Sequence, residues 1–409
     1  MTSDLIRTVK AHYTDWPYPK PIDDIASWQA GGGYQQGSHA LDHHLFWPER
    51  SYNPDISILV AGCGTGEAAL EAYNHPHATV LGIDLSPTSL EHSAKLKKKH
   101  NLVNLELREM DLHEIAALGQ KFDHIVSFGV LHALPDTAKG LKALSEVLTD
   151  DGVMLLALYS KPMRHGVYMV QDALRRLKVG QTKEDVAFTY DVLKSLPDWH
   201  PVQNYMRMTD DLGYPSGIVD TFLHKVDRAF SVADILDLAE TANMNFQGWF
   251  DNLYYYPDGA LQNNRELFER ISALPEKERW IVTENLMPSL RGHHRCLMRK
   301  KTSDPAQYRI DFAAPESFEM IPVRHHRLKT HNKRNNFRKT GFAIEREWHS
   351  LDLSPLEQKL LIASNGENTI SAIIKATVKS ADEEKTALAF FKRMWRLGHF
   401  TYSKAHLYA

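Results

Sequence analysis

The sequence predicts an α/β protein whose main domain is a doubly wound sheet of seven strands. Three observations predict it: a near-continuous apolar run over 56–61, a turn with three glycines in five positions directly after it, and an alternation of apolar runs with helix-like stretches as far as residue 160. Parallel strands buried on both faces are apolar along their length, and strands that alternate with helices are typical of a parallel sheet.

The predicted strands are short apolar runs separated by helical patterns. Helices are predicted over 86–99 and 137–148, the second because Leu141, Leu144 and Leu148 follow one another at helical spacing. The strands are predicted, in chain order, at 56–61, 80–83, 105–110, 122–128, 153–159, 245–250 and 294–299.

Glycines and acids follow the first four predicted strands. The turn 62–66 follows the first, Asp84 the second, Asp111 the third and Gly129 the fourth. Ligands of such sheets bind at the carboxyl ends of the strands. Asp84 is placed to accept both ribose hydroxyls and Asp111 to accept a purine amine. Each feature alone is typical of a strand end or a helix cap, but together and in register they indicate a nucleotide-like ligand.

The spacing of the glycines distinguishes two such ligands. The dinucleotide fingerprint has glycine at the position that Glu67 occupies here, and the glycine stands one place earlier, at Gly66. A carboxylate at that position would repel a pyrophosphate, whereas it suits a ligand with a sulfonium and an ammonium group. The turn therefore favours S-adenosylmethionine over NAD.

Four motifs resemble class I S-adenosylmethionine-dependent methyltransferases, which have a Rossmann-like fold: VAGCGTG, GIDLS, MDL at 110–112 and FGVLHALPD at 128–136. The resemblance covers about residues 50–160 and implies S-adenosylmethionine as cofactor. It implies glycines along the methionine and ribose, Asp84 at the ribose hydroxyls, Leu85 and Asp111 with Leu112 at the adenine, and Phe128 with Gly129 at the sulfonium. The implied cofactor-binding residues are Gly62, Cys63, Gly64, Gly66, Asp84, Leu85, Asp111, Leu112 and Phe128.

A narrower resemblance concerns a bacterial subgroup. HYTDWPYPKP at 12–21, GVLHALPDTAKGLKAL and YSKPMRHGVYMVQDALRRL resemble the rickettsial protein-lysine methyltransferases. This likeness does not fix a substrate.

The segments around the sheet suggest four regions: an N-terminal arm or lid over 1–50, a methyltransferase domain over 51–300, a basic linker over 301–350 and a C-terminal module over 351–409. The arm, with a helix at 3–13, is either packing for the sheet or a mobile cover hinged at Gly31–Gly33. The insertion 161–230, with helices at 166–178 and 183–196, lies after the fifth strand and is the predicted substrate wall.

The last two regions differ in charge. Between Arg324 and Lys339 there are seven Lys or Arg and no acid, which suggests an exposed linker, with a phosphate-binding patch as the alternative. Capping boxes at 354–357 and 380–383 begin helices of a small, independently folding, winged-helix-like module. Residues 345–385 carry eight acids against five Lys or Arg, so docking or a homodimer is expected there and nucleic acid is not.

The composition indicates the class of protein and its compartment. A chain with 43% apolar and 24% charged residues, a net charge of −3 and two cysteines is typical of a globular protein of the reducing cytoplasm. It shows no signal peptide and no apolar run of membrane length. No Cys/His cluster has metal-ligand spacing, so no metal is expected. The fourth strand lacks the Asn/Asp-Pro-Pro-Tyr/Phe motif, which argues against adenine-N6 and glutamine as methyl acceptors.

The predicted activity is transfer of a methyl group from S-adenosylmethionine to a nucleophilic acceptor, a protein side-chain amine or a small molecule. His132 and Tyr18 are the candidate catalytic residues, and Tyr159, Arg164 and Tyr168 the candidate substrate-binding residues. The alternative is a non-catalytic interaction protein that acts through its C-terminal module. The intact glycine turn with both acids argues against that alternative.

Overall fold

A computed structural model describes residues 2–31, 39–288, 292–335 and 338–404 of the chain. Two units emerge from the packing. The first comprises 1–36, 54–248 and 288–303, and the second comprises 37–53, 249–287 and 304–409. Each is described by itself below, within the described residues.

The first unit is built on the predicted seven-stranded sheet, in the order β3-β2-β1-β4-β5-β7-β6. β1, β2, β3, β4 and β5 pair in parallel, whereas β7 runs antiparallel to β5. The expectation of a parallel sheet is therefore wrong at β7, because an apolar run indicates burial and not strand direction. The strands are β1 (Ser57–Ala61), β2 (Thr79–Asp84), β3 (Leu105–Glu109), β4 (Phe122–Phe128), β5 (Leu148–Tyr159), β6 (Met244–Trp249) and β7 (His293–Lys300).

Helices separate the strands as the sequence predicts. Leu148 is an exception, since it begins β5 instead of ending a helix. The helices are α1 (Thr2–Asp15), α2 (Ile25–Ala30), α3 (His39–Phe46), α4 (Glu67–Asn74), α5 (Pro87–Lys99), α6 (Thr137–Glu146), α7 (Lys161–Arg176), α8 (Lys183–Ser195), α9 (Val202–Met206), α10 (Pro215–Phe222), α11 (Val232–Thr241), α12 (Arg265–Ser272), α13 (Glu276–Leu286), α14 (Pro305–Tyr308), α15 (Pro355–Ala363), α16 (Ile370–Thr377) and α17 (Ala381–Arg396).

The central strands are buried, as their composition requires. In β1, every side chain from Ile58 to Ala61 is at most 1% exposed. The insertion after β5 is helical and has a core of its own, in which Val167 and Val170 of α7 pack with Val202 of α9 and Ile218 of α10. It follows that α7 and α10 hold their polar residues on a rigid support.

The second unit contains the region that was predicted to be a linker, and that prediction is wrong. Residues 301–350 hold four strands: β8 (Ile321–Arg324), β9 (Lys329–Asn335), β10 (Arg338–Arg346) and the start of β11 (His349–Leu353). β10 pairs antiparallel with β9 and β11. β9 is an edge strand with exposed basic side chains, a common protection against edge-to-edge pairing, which is why its composition resembles a linker.

The C-terminal helices are present, although the boundary of the predicted module is not. α15 begins with the expected capping box at Ser354, whereas at α17 the Glu383 carboxylate accepts from the Lys379 amide instead of closing a second box. β12 (Phe400–Ser403) pairs with β8, and the buried Arg346 guanidinium binds Asp251 at 2.8 Å. A fragment that starts at 351 loses these partners, so we do not expect it to fold alone.

Two further expectations concern the hinge glycines of the arm and membrane-spanning helices. Of the proposed hinge glycines, Gly32 and Gly33 lie outside the described residues. Across the described part of the chain, no helix combines the length and the hydropathy that crossing a bilayer demands.

Candidate active site

The turn after β1 requires glycine at two positions. Gly62 has φ +72° and Gly64 has φ +52°, in the left-handed region that other residues rarely adopt. A Cβ atom on Gly62 would also stand 2.1 Å from Cγ2 of Val130. The amides of Gly62 and Cys63 donate to the Ile83 carbonyl at 2.8 and 2.9 Å, which ties the turn to the end of β2.

Asp84, at the end of β2, joins the turn to the next helix. Its Oδ2 accepts from the Gly64 amide and its Oδ1 from the Ser86 amide, both at 2.8 Å. Burial raises the pKa of this carboxyl, while the two amides oppose that rise. Each carboxylate oxygen has a second lone pair, so the group retains the capacity to accept a pair of hydroxyls.

The other residues of the turn contribute backbone. The Cys63 side chain is buried against Gly82, and burial raises the pKa of its thiol. The Cys63 amide donates to the Ile83 carbonyl, so this residue contributes backbone to the turn. Gly66 precedes α4 and leaves the amides of the first turn without a side-chain cap. Leu85 is half-buried beside Asp84. α4 begins at Glu67, and this carboxylate offsets the preference of a helix amino terminus for an anionic ligand group.

The structure gives Asp111 and Leu112 ordinary structural roles. Asp111 caps the 3-10 helix Leu112–Leu118, and its Oδ1 accepts from the amide and the ring of His113 at 2.8 and 2.9 Å. The Leu112 side chain is buried and its Cδ2 lies 3.7 Å from the position of a Cβ on Gly140. Their predicted contacts with adenine stay predictions.

Open space lies where β4 ends. Phe128 is half-buried, and the following Gly129 has φ +76° with no atom within 4 Å of the position of a Cβ. The turn after β1 and this gap are neighbours, since β1 and β4 pair directly. Gly129 leaves this gap open, whereas Val130, Tyr18 and Pro19 pack on the glycines of the turn. A gap beside the glycine turn fits a nucleoside cofactor whose sulfur lies at the end of β4.

The N-terminal arm packs on this edge. The Tyr18 carbonyl and Pro19 Cδ lie 3.3 and 3.2 Å from the position of a Cβ on Gly64. Thr65 donates to the Pro19 carbonyl at 2.8 Å, and Ser86 donates to the Tyr13 carbonyl at 3.1 Å. The segment 13–19 is therefore in contact with the glycine turn and with the end of β2.

The predicted acceptor residues are brought together at the ends of β4 and β5. The ring of His132 stacks on that of Tyr159, with centroids 3.7 Å apart. The guanidinium carbon of Arg164 lies 3.9 Å from the centre of the Tyr159 ring and 5.6 Å from that of Tyr168. Tyr18 donates to Asp211 at 3.3 Å.

Arg164 acts through its neighbours. Its side chain is fully buried and forms an ion pair with Asp227 at 2.5 Å. A buried guanidinium that is already paired supports the tyrosine rings around it. Its predicted contact with substrate finds no support in this geometry, and a positioning role for Tyr159 fits better.

The comparisons with known proteins bear directly on this edge. Residues 53–207 match the family model described as a methyltransferase domain. Residues 53–207 therefore form a methyltransferase domain.

Sequence similarity to other proteins extends beyond residues 53–207. An uncharacterized protein of Synechococcus sp. is 24% identical over 305 residues, which are 71% of this chain and 71% of that protein. EEF1A lysine methyltransferase 2 of Homo sapiens is 24% identical over 151 residues, which are 35% of this chain and 64% of that protein. The chain thus spans less than two thirds of the human relative.

A solved structure shows the fold of nearly the whole chain. PKMT2 from Rickettsia typhi, in complex with AdoHcy, has a TM-score of 0.61 at 16% identity, and the match covers 94% of this chain and 77% of that one. The predicted class I fold and the likeness to the rickettsial enzymes are thereby confirmed at the level of fold.

The first unit also contains a residue that sequence reasoning missed. Asp220 of α10 is 2% exposed, and its Oδ1 and Oδ2 accept from the hydroxyls of Tyr13 and Tyr159, each at 3.1 Å. Burial raises the pKa of both hydroxyls, which keeps them as donors. One signal was available: Asp220 stands inside the apolar run GIVDTFLH, where a carboxylate is unexpected.

Among the described residues, Asp220 belongs to one group with the composition of a metal site, completed by His12 and His224. The hydrogen bonds of the two histidine rings argue against a metal site. Nδ1 of His224 accepts from the Val226 amide at 3.0 Å, and Nδ1 of His12 accepts from Gln181 at 3.0 Å. Burial lowers the pKa of these rings to about 4 and about 3. In a neutral ring, Nε2 then carries the proton, so the nitrogens that face the cluster are donors and not metal ligands.

Proposed function

We propose that this protein transfers a methyl group from S-adenosylmethionine to a nucleophilic acceptor, which is a protein side-chain amine or a small molecule. The observation that carries the proposal is the pair of hydrogen bonds from Gly64 and Ser86 to Asp84, because they hold a carboxylate directly beside the glycine turn, where it can accept ribose hydroxyls. The human lysine methyltransferase among the relatives supports an amine of a protein, and the AdoHcy complex of the rickettsial protein supports the cofactor.

In this proposal the cofactor lies along the carboxyl ends of β1, β2 and β4. Asp84 accepts the ribose hydroxyls, the backbone of Gly62, Gly64 and Gly66 borders the methionine portion, and Phe128 borders the sulfur. Leu85, Asp111 and Leu112 are the adenine side. When bound, S-adenosylmethionine supplies a methyl carbon on a cationic sulfur, to which the acceptor adds its lone pair while the carbon–sulfur pair leaves with sulfur.

The chain's own residues then align the acceptor and exclude water. Tyr13 and Tyr18 on the arm, together with His132 and Tyr159 at the strand ends, form a polar, aromatic boundary on the acceptor side. Burial lowers the pKa of His132 well below its usual range, with the Arg164 charge adding to the effect, so its ring stays neutral. A neutral imidazole and phenols orient a substrate without adding charge.

The proposal includes a cytoplasmic location, which the cysteine content favours, and a docking or dimerisation role for the second unit, whose residues 345–385 carry excess acid.

Labelled S-adenosylmethionine tests the proposal. Purified protein is incubated with the methyl-labelled cofactor and a lysate of the source cells, and the label is followed into protein, nucleic acid and small molecules. We expect label in protein amines or in a small molecule, and its loss in Asp84→Ala. Glu109→Gln, a change at the exposed end of the neighbouring β3, is the matched control that should retain transfer. Label that enters nucleic acid, or transfer that Asp84→Ala leaves unchanged, would contradict the proposal.

A further inference from the structure

The hydrogen bonds of Asp220 indicate where its carboxylate lies relative to the sheet. Tyr13, which binds one of its oxygens, is anchored at the end of β2 by the bond from Ser86 to its carbonyl, and Tyr159, which binds the other, ends β5. β1 and β4 lie between β2 and β5 in the sheet, across three strand spacings or about 14 Å. A carboxylate that both hydroxyls reach therefore lies over the ends of β1 and β4, beside the gap that Gly129 leaves.

The cluster around Asp220 has unused hydrogen-bonding capacity. A carboxylate has about four lone-pair sites, and the two tyrosines occupy one on each oxygen. Nε2 of His12, 4.0 Å from Oδ1 of Asp220, and Nδ1 of His132 are buried without a hydrogen-bond partner in the described residues. Buried polar atoms without partners are rare. Here one belongs to the ring beside Asp220 and the other to the ring stacked on Tyr159.

Within the described residues, no Lys or Arg forms an ion pair with Asp220. The Arg164 charge acts on Asp220 without bonding to it, and its guanidinium is paired with Asp227. The rings of His12 and His224 resist protonation, because burial lowers their pKa values to about 3 and about 4. A buried carboxylate without a paired charge is costly, and a cationic ligand would remove that cost.

We infer that Asp220 is the binding group for the methyl acceptor, and that the acceptor is an amine which enters as its ammonium ion and gives one proton to this carboxylate. The inference rests on the proposed function. The N–H bond breaks, its electron pair stays on nitrogen, and the proton makes Asp220 a carboxylic acid. The neutral amine then has the lone pair that attack on a methyl carbon requires. The rings of Tyr13 and Tyr159 shelter the ammonium from water.

The carboxylate is suited to such a proton transfer. Burial raises the pKa of Asp220 to about 7, the Arg164 charge opposes that rise and the Asp211 charge adds to it. Asp220 is therefore charged above about pH 7 and neutral below it. The titratable groups around it come from several elements: His12 and Tyr13 of α1, Tyr18, Tyr159 of β5, Arg164 of α7, Tyr205 of α9, Asp211, Tyr214 and His224.

Sinefungin is a suitable probe, since it resembles the cofactor but carries a primary amine on a carbon in place of the methyl-bearing sulfur. Its ammonium would lie beside Asp220. At pH 8 we expect wild-type protein to bind sinefungin more tightly than S-adenosylhomocysteine by roughly tenfold or more, as one charge-assisted hydrogen bond provides. Asp220→Asn should bring this ratio close to one and leave the affinity for S-adenosylhomocysteine nearly unchanged.

Two further variants sharpen the test. Tyr159→Phe removes a donor to the charged form of Asp220, so the pH at which the sinefungin preference appears should move upward while the carboxylate stays in place. Asp258→Asn is the matched control, because Asp258 is also a buried carboxylate with a raised pKa but belongs to the second unit. It should leave the ratio unchanged.

The outcomes separate the two proposals. If wild-type protein binds S-adenosylhomocysteine but Asp220→Asn keeps the sinefungin preference, the inference is overturned and the proposed function stands. If Asp220→Asn loses affinity for both compounds equally, Asp220 is structural and the inference is also overturned. If wild-type protein binds neither compound, the proposed function fails and the inference fails with it.

Discussion

The cofactor edge and the acceptor cluster of the first unit are built in different ways. The cofactor edge comes from 62–66 and 84–86, the ends of two paired strands, and it is held by backbone amides and one carboxylate. The acceptor cluster is the group of buried polar side chains around Asp220. At its centre are Tyr13, Tyr159 and Asp220, on three elements that are distant in sequence. A local motif predicts the first, whereas only the fold reveals the second.

The energetics of the two regions differ as well. At the cofactor edge, the tight contacts are steric, such as the space that Gly62 leaves for Val130. In the acceptor cluster, the contacts are buried hydrogen bonds among titratable groups, which are costly when a partner is lost or a charge appears. We therefore expect acid to act on the cluster and added side-chain volume to act on the cofactor edge.

The largest expected effect is loss of stability in acid. Burial lowers the pKa of His12 to about 3 and of His224 to about 4, and that of His132 well below its usual range. Stability from these neutral rings is complete above about pH 6.5 and is lost as the pH falls towards 4, at about 1.4 kcal/mol per pH unit for each ring. Asp220, with its raised pKa, has the opposite dependence, since its contribution is complete below about pH 4 and lost as the pH rises through 7.

The three rings outweigh the one carboxyl between pH 4 and 6.5. Urea unfolding across this range should show the free energy of unfolding falling with acid, and His224→Asn, whose amide oxygen can still accept from Val226, should reduce the slope by about 1.4 kcal/mol per pH unit. His165→Asn, at an exposed position of α7, should leave the slope as it is. An unchanged slope in His224→Asn would show that this ring is not kept neutral by burial.

The next effect is steric and belongs to the cofactor edge. Gly62→Ala adds a methyl group 2.1 Å from Val130 and strains a positive φ, so it should lower the free energy of unfolding by about 3 kcal/mol and abolish binding of S-adenosylhomocysteine. Adding Val130→Ala should restore part of the loss. Gly119→Ala has φ +64° and open space, so it measures the backbone cost alone. Equal losses in Gly62→Ala and Gly119→Ala would argue against the close contact.

A smaller effect is expected at Asp84. Asp84→Ala should weaken S-adenosylhomocysteine binding by about 2–3 kcal/mol, because two ribose hydroxyls lose a charged acceptor. Calorimetry measures the change, and Asp220→Asn is the comparison from the acceptor cluster that should leave this affinity nearly intact. Unchanged affinity in Asp84→Ala would remove the ribose assignment.

The smallest effect is expected at Tyr18. Its hydroxyl reaches Asp211 at 3.3 Å, a long bond, so Tyr18→Phe should change the free energy of unfolding by less than about 1 kcal/mol and should leave cofactor affinity intact. A reduced turnover with normal affinity would support its predicted role with the acceptor. A loss of cofactor affinity would instead assign Tyr18 to the cofactor edge, where its carbonyl already packs near Gly64.

The sequence predicts the cofactor edge well because its information is local. The glycine turn, Asp84 and the order of the strands can be predicted from runs of a few residues. In the structure β1 pairs with β2, and the Gly64 amide at the end of one donates to Asp84 at the end of the other. The same local patterns misled at β9, where an exposed edge strand has the composition of a linker. At Asp111 the structure shows a helix cap, and the adenine contact stays a prediction.

The acceptor cluster could be predicted only in part. His132, Tyr159 and Arg164 follow strand ends and are found together, but Arg164 proves to be a buried support for the tyrosine ring. Asp220 accepts hydrogen bonds from Tyr13 of α1 and Tyr159 of β5, which are distant from α10 in the chain. No periodicity in the sequence predicts such long-range contacts. A charged residue inside an apolar run was its one local signal.

Titration of the wild-type protein with S-adenosylhomocysteine by calorimetry tests the central claim most directly. The glycine turn with Asp84 predicts one site with a dissociation constant in the micromolar range. NAD, titrated under the same conditions, should give no binding heat, because Glu67 stands where a dinucleotide site has glycine. No binding of S-adenosylhomocysteine, or binding of NAD with equal affinity, would contradict the account.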